Sequence, residues 1–167
     1  MFFKIAPADN NIVNVSKKLI CAIFFLISLS CFGQKIKTNK FFFHTYQGKK
    51  IILNKINAPL LLFVWSSNHS HCIKRLAIPF SIHLKFCKKG LITCAVGLGN
   101  RSIEKALLNQ KGFKFSYTGF IAPNMLSFFN FHSIPFYVLF SKKGNIIYTG
   151  YKSPPENIIK SSLINIY

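Results

Sequence analysis

The sequence predicts one α/β domain with a mixed central sheet flanked by helices. Apolar runs of strand length alternate with segments of helical periodicity through the middle of the chain. A strong hairpin pattern and a helical pattern follow toward the C-terminus. The 167 residues are half hydrophobic, which suits one domain with a sizeable core, and no internal repeat or low-complexity linker divides them.

The predicted domain begins with a β-hairpin and a buried strand. Residues 41–46 and 49–53 are strand-like runs separated by the turn Gln47-Gly48. Residues 60–64 are apolar throughout, as in a central strand that is buried on both faces. We therefore expect the hairpin to extend the N-terminal end of the sheet.

A helix, a second buried strand and another helix are predicted next. Apolar residues recur at helical spacing from 72 to about 89, and Pro79 within this pattern predicts a kink or a late start. Residues 91–96 follow Gly90 and have the composition of a buried strand. Residues 102–110 then show a helical pattern.

The C-terminal part is predicted to contain a short helix, a hairpin and a terminal helix. The helical pattern over residues 124–130 is weak. Residues 136–140 and 146–149 are strand-like runs joined by a polar turn, which is typical of a hairpin. Two prolines then open a helix that runs to about residue 166, since proline is tolerated in a first turn.

The charge is strongly unbalanced, with 22 basic residues, 3 acidic ones and a formal net charge of +19. The acidic residues are Asp9, Glu104 and Glu156. So few carboxylates argue against a mechanism based on paired carboxylates and exclude an all-carboxylate Ca²⁺ or Mg²⁺ site.

The basic residues do not predict a nucleic-acid partner. The lysine pairs fall at element ends and turns, and only Arg75 and Arg101 could make the two-pronged contact that base recognition favours. The charge is better suited to loose attraction to an anionic membrane surface or glycan.

Residues 1–34 are predicted to form an N-terminal segment with a signal peptide or membrane anchor. Two lysines precede an apolar run over residues 19–33, which is the order of a secretory signal. The run covers about 22 Å, short of a bilayer core of about 30 Å. Cleavage near Gly33 or Gln34 is therefore expected, which leaves residues 35–167 as an exported domain, periplasmic or membrane-anchored. Lipidation of a cysteine in this segment and a buried core helix are the alternatives.

The mature domain keeps three cysteines, Cys72, Cys87 and Cys94, so at most one internal disulfide can form. Helical geometry places Cys87 about 22 Å from Cys72, whereas a disulfide needs a Cα separation of roughly 6 Å. Cys94 lies on a predicted strand, where a cysteine usually packs in the core.

Four stretches of the sequence are informative together: GKKIIL at residues 48–53, VWSSNHSHC at 64–72, SIPF at 133–136 and SKKGNIIY at 141–148. In this order they resemble the TlpA-like branch of the thioredoxin-fold proteins, the exported thiol–disulfide oxidoreductases. Residues 64–72 lie along the family motif FWAxWCxxC, with Trp65 on the family tryptophan. Residues 133–136 resemble the loop that carries the family's cis-proline, and residues 48–53 and 141–148 resemble the opening and the closing hairpin of the family. The resemblance covers roughly residues 41–166 and implies a thioredoxin-like fold and partners that carry protein thiols or disulfides.

The resemblance also implies roles for particular residues. The first motif cysteine, the exposed nucleophile, corresponds to His69, and the shielded second cysteine corresponds to Cys72. Pro135 would shape the substrate groove, and Trp65 and Ile134 would lie beside the substrate. The motif is therefore HxxC instead of CxxC, which casts doubt on redox turnover.

Cys72 is the expected reactive group. A helix N-terminus and the neighbouring His69 and His71 would make its thiol acidic. A lone thiol can form mixed disulfides but cannot resolve them within the motif. The structural alternative is that Cys72 is a small buried hydrophobe.

A second class of function is a redox-inactive binding module on the same scaffold, which would hold a partner protein or a metal ion. The metal ligands in this interpretation are His69, His71, Cys72 and His132, a set that suits Cu or Zn. No other cofactor is expected, because the chain has no phosphate loop and no dinucleotide fingerprint.

Overall fold

The computed structural model describes residues 41–129 and 132–164. The strands in these ranges are β1 (Phe42–Thr45), β2 (Lys50–Ile52), β3 (Leu60–Trp65), β4 (Ile92–Gly97), β5 (Tyr117–Ile121), β6 (Phe136–Phe140) and β7 (Ile146–Gly150). The helices are α1 (Ser70–Arg75), α2 (Ala77–Phe86), α3 (Arg101–Gln110), α4 (Pro123–Phe129) and α5 (Glu156–Ile164). The predicted export segment, 1–34, lies outside the described residues. Within the described ranges, every helix is too short or too polar to cross a bilayer.

The strands form one mixed sheet in the order β2-β1-β5-β4-β3-β6-β7. The pairs β3–β4 and β4–β5 are parallel, and the other pairs of neighbouring strands are antiparallel. The predicted mixed sheet and the N-terminal hairpin of β1 and β2 are thus confirmed.

Strand β3 lies inside the sheet between β4 and β6, and all six of its residues are buried. Because side chains alternate along a strand, they separate into two apolar layers. Leu62 and Val64 pack in one layer, which includes Met125 of α4. Phe63 and Trp65 pack in the other, which includes residues of α1, α2, α3 and α5. The predicted two-sided burial of this strand is confirmed.

The helical segment predicted from 72 to 89 is divided near its proline, and its longer helix starts late, as Pro79 predicted. Helix α1 ends at Arg75, and α2 begins at Ala77 after the intervening Leu76. Pro79 is the third residue of α2, in the first turn, where the missing N–H has no intrahelical partner to lose.

Strand β5 was not predicted. Its sequence, YTGFI, contains a glycine and lacks a long apolar run. A Cβ atom on Gly119 would collide with the backbone of His44 in the paired strand β1. The glycine is therefore required by the close approach of the two strands.

Candidate functional site

The segment predicted to carry the site joins β3 to α1. Strand β3 ends at Trp65, which is completely buried, and Ser66 to Asn68 form the loop. His69 occupies the N-cap position of α1 with extended backbone angles (φ −118°, ψ 109°). The His69 side chain is exposed and makes no capping hydrogen bond among the described residues.

Cys72 lies in the first turn of α1 and is 0% exposed. Its backbone N–H donates to the carbonyl oxygen of His69 at 2.9 Å. Its side chain packs in the apolar layer that contains Trp65 and Leu76. The thiol therefore faces the protein interior, whereas His69 faces solvent.

The electrostatic surroundings of Cys72 differ from the sequence-based expectation. Burial raises the pKa of the Cys72 thiol, a backbone hydrogen bond from Ser66 and the guanidinium of Arg75 lower it, and the carboxylate of Glu104 raises it. The net shift of the pKa is upward, so the prediction of an acidic thiol is wrong. Two features explain the difference: α1 is only six residues long, and the imidazoles of His69 and His71 lie on the exposed side of the chain.

The proline loop lies beside the end of β3. The peptide bond between Ile134 and Pro135 is cis, as in the family loop that these residues resemble. Phe136 pairs with Val64, so Pro135 lies next to the position of Trp65 at the same end of the sheet. Pro135 is buried, and Ile134 is half-buried against both apolar layers. The structure thus brings the motif loop and the proline loop together.

An aromatic residue that sequence reasoning missed lies near these loops. Tyr151 follows β7, is 41% exposed, and packs edge-on against Phe136 with 5.2 Å between ring centroids. Its carbonyl oxygen accepts a 3.5 Å hydrogen bond from Nη1 of Arg75. No local pattern could have shown this, because the contact joins residues 76 positions apart.

The other two cysteines do not pair with Cys72. All three cysteines of the described domain are free thiols. Cys94 is fully buried in the apolar layer on the opposite face of the sheet from Cys72, as core packing predicts, and burial raises its pKa. Cys87 is half-buried after α2, with its sulfur facing the carbonyl of Leu84 at 3.9 Å. Cys72 is therefore a single thiol at the motif.

The metal-binding arrangement is not assembled. Among residues 41–129 and 132–164, no three histidine, cysteine or acidic side chains lie close enough to hold an ion. His69, His71 and His132 are each exposed, while Cys72 is buried. The set His69, His71, Cys72 and His132 thus has no support from the geometry.

A buried acid, Glu104, adjoins the motif loop and was also missed. Its carboxylate accepts a hydrogen bond from the backbone N–H of Ser67 at 3.2 Å. The sequence does contain a signal for it. Glu104 precedes Leu107 and Leu108 by three and four residues, so it occupies an apolar-stripe position in a chain with very few acids.

No protein-family profile matches the sequence, and no curated protein matches it. Solved structures do. A secreted disulfide oxidoreductase of Mycobacterium tuberculosis, homologous to E. coli DsbE, superposes with a TM-score of 0.61 at 9% identity, over 78% of this chain and 99% of that one. A thiol:disulfide interchange protein of the thioredoxin family from Chlorobium tepidum superposes with a TM-score of 0.60 at 15% identity, over 74% of this chain and 92% of that one. A thiol:disulfide interchange protein from Bacteroides sp. superposes with a TM-score of 0.59 at 14% identity, over 75% of this chain and 84% of that one.

The chain therefore has a thioredoxin-like α/β fold, which confirms the predicted fold class. The solved structures that it resembles are those of thioredoxin-like thiol:disulfide interchange proteins.

Proposed function

We propose that this chain is a thiol–disulfide oxidoreductase-type protein that exchanges disulfides with partner proteins through one thiol, Cys72. The observation that carries the proposal is the position of this cysteine. It lies in the first turn of the helix that follows the central strand, at the same sheet end as the cis-proline loop. The fold it shares with thiol:disulfide interchange proteins supports the same class of chemistry.

A single thiol limits that chemistry to exchange. The Cys72 thiolate attacks one sulfur of a partner disulfide, so a Cys72–partner bond forms, the partner S–S bond breaks, and a partner thiolate leaves. A cysteine of the partner then attacks the mixed disulfide and releases Cys72. Net oxidation or reduction would need a second thiol to hold the two electrons, and position 69 is histidine. The chain is thus suited to disulfide rearrangement.

In this proposal, the remaining site residues bind and orient the partner. Pro135 shapes the surface beside the thiol, with the half-buried Ile134 next to it. Trp65 is completely buried, so it supports the site from the core and has no exposed surface for the predicted substrate contact. His69, exposed at the N-cap, lies where a partner would approach. Because Cys72 is 0% exposed, the loop before α1 has to move for the two sulfur atoms to meet.

The described surface has a strong excess of positive charge. Glu156 is engaged by Lys85 at 2.6 Å and by Lys160 at 2.9 Å, and Glu104 is buried. This excess supports an anionic partner, and an anionic membrane surface fits it if the domain is exported and anchored. We propose export to the periplasm or the outer face of a membrane, in keeping with the M. tuberculosis structure that is described as secreted.

The test uses three proteins that keep only Cys72, only Cys87 or only Cys94, with the other cysteines of the chain, including Cys21 and Cys31, replaced by serine or alanine. Each is mixed with a peptide that contains one disulfide, quenched with acid and weighed by mass spectrometry. We expect a mixed disulfide only in the protein that keeps Cys72, and faster rearrangement of a protein with non-native disulfides. Absence of that adduct would overturn the proposal and leave the alternative, a redox-inactive module that binds a partner protein.

A further inference from the structure

Glu104 is a carboxylate that the protein encloses completely. It is 0% exposed and is the one acidic or basic side chain that is fully buried among the residues the structure describes. Leu107 and Leu108 project from the same face of α3 toward the sheet, which explains why this position is inside. A buried charge is costly unless hydrogen bonds compensate it.

Three separate segments supply those hydrogen bonds. Oε1 accepts from the backbone N–H of Gly99 at 2.8 Å and of Ser67 at 3.2 Å. Oε2 accepts from the hydroxyl of Tyr46 at 3.2 Å. The carboxylate thus joins the loop after β4, the motif loop after β3 and the turn after β1. Burial, and then the Glu104 charge, raise the pKa of Tyr46, so its hydroxyl stays protonated and remains a donor.

Two glycines leave room for the carboxylate. A Cβ atom on Gly97 would collide with the Glu104 carboxyl group. A Cβ atom on Gly99 would lie 2.9 Å from Oε1 and 2.8 Å from the hydroxyl oxygen of Ser66. The sequence Gly97-Leu98-Gly99 is therefore matched to a buried acid and to the loop that the acid binds.

The same loop contacts the thiol. The backbone of Ser66 forms a hydrogen bond to Cys72 that favours the thiolate, while the next residue, Ser67, donates its N–H to Glu104. Adjacent peptide groups thus bind the thiol and the carboxylate. A movement that exposes Cys72 by displacing this loop would break the bond to Glu104.

We propose that Glu104 is a positioning residue of the candidate site, which fixes the loop over Cys72 and so sets how readily a partner reaches the thiol. The proposal rests on the proposed function, in which a partner protein must reach that sulfur. Two nearby charges also act on the Cys72 thiol: the Arg75 guanidinium lowers its pKa, and the Glu104 carboxylate raises it. The pKa of Glu104 itself is raised by burial and lowered by the hydrogen bonds from Gly99, Ser67 and Tyr46.

The experiment separates the hydrogen bonds from the charge. In a protein that keeps only Cys72, Glu104→Gln preserves the Oε1 acceptor and removes the charge, whereas Glu104→Ala removes both. Glu156→Gln is the matched control, since Glu156 is the other described glutamate and is exposed on α5. The rate of Cys72 alkylation by iodoacetamide is measured against pH, with circular dichroism to verify folding.

We expect Glu104→Ala to raise the alkylation rate by about tenfold or more at every pH, because the loop over Cys72 loses its hydrogen bonds to a charged acceptor and opens more often. Glu104→Gln should shift the midpoint to lower pH, and Glu156→Gln should change neither quantity. If Glu104→Ala does not fold, Tyr46→Phe takes its place in the rate measurement, because it removes the hydroxyl that donates to Oε2 of Glu104. A folded Glu104→Ala or Tyr46→Phe protein that reacts at the original rate would overturn the proposal. This assay uses no protein disulfide, so its outcome is independent of whether Cys72 exchanges with one.

Discussion

The backbone N–H of Cys72 donates a hydrogen bond of 2.9 Å to the carbonyl oxygen of His69. This bond closes a tight turn between two residues three positions apart, and such a turn holds their Cα atoms within about 7 Å. Disulfides span Cα separations of about 4.4–6.8 Å. The backbone therefore keeps the geometry of a two-cysteine motif, and the difference lies in the side chain at position 69.

The first prediction concerns the space that Gly97 leaves for Glu104. We expect Gly97→Ala to lower the free energy of unfolding by about 1–3 kcal/mol, because the added methyl group collides with the buried carboxyl group. The double variant Gly97→Ala/Glu104→Ala should lose less than the sum of the two single losses, because the smaller side chain relieves the collision. Urea unfolding of the four proteins measures this coupling. Simple additivity would show that the two positions do not compete for space.

The second prediction concerns the cysteines. Oxidation of the folded protein should produce no disulfide between Cys72 and Cys94, because their side chains lie in apolar layers on opposite faces of the sheet. Peptide mapping without reduction tests this. The same treatment of unfolded protein in urea is the control, because there the sheet no longer separates the two sulfur atoms. Recovery of the 72–94 pair from folded protein would contradict the layer assignment.

The third prediction concerns pH and His83. Its Nδ1 atom lies 2.7 Å from the hydroxyl oxygen of Thr93, and burial lowers the pKa of the ring. Below about pH 6.5 the unfolded chain takes up a proton at this position before the folded one does, so stability falls as the pH drops toward the lowered folded pKa. His83→Gln should reduce the loss of stability between about pH 7.5 and 5, as measured by urea unfolding.

The control for this prediction is His71→Gln, since His71 is exposed. It should leave the pH dependence of stability close to that of the unmodified protein. Identical curves for His83→Gln and His71→Gln would show that burial of His83 does not contribute to acid sensitivity.

Much of the fold could be predicted because its central strands are buried on both faces. The run Leu60–Trp65 is an example: a continuous apolar segment of strand length predicts a strand inside the sheet, because both of its faces have to be buried. Strand β5 was missed because Gly119 interrupts its pattern and its position depends on pairing with β1 and β4. Pro79 predicted the late start of α2, but the separate helix α1 before it was not predicted, because the helical spacing of apolar residues continues through Leu76.

The site was predictable only where its chemistry is local in sequence. The turn from His69 to Cys72 and the loop before Pro135 follow from short stretches that resemble a known motif. The burial of Cys72 and the role of Glu104 depend on contacts between segments far apart, such as the 37-residue separation of Ser67 and Glu104. Such contacts have no local signature.

The most direct test of the central claim is the variant His69→Cys, because the claim is that this one side chain prevents an internal redox couple. After oxidation, the variant should contain a disulfide between positions 69 and 72, and it should reduce protein disulfides catalytically with dithiothreitol as the electron source, whereas the unmodified protein should not. His71→Cys is the matched control, since adjacent helical positions do not face each other, and it should gain neither property. Failure of His69→Cys to form the disulfide, or equal reductase turnover by the unmodified protein, would contradict the account.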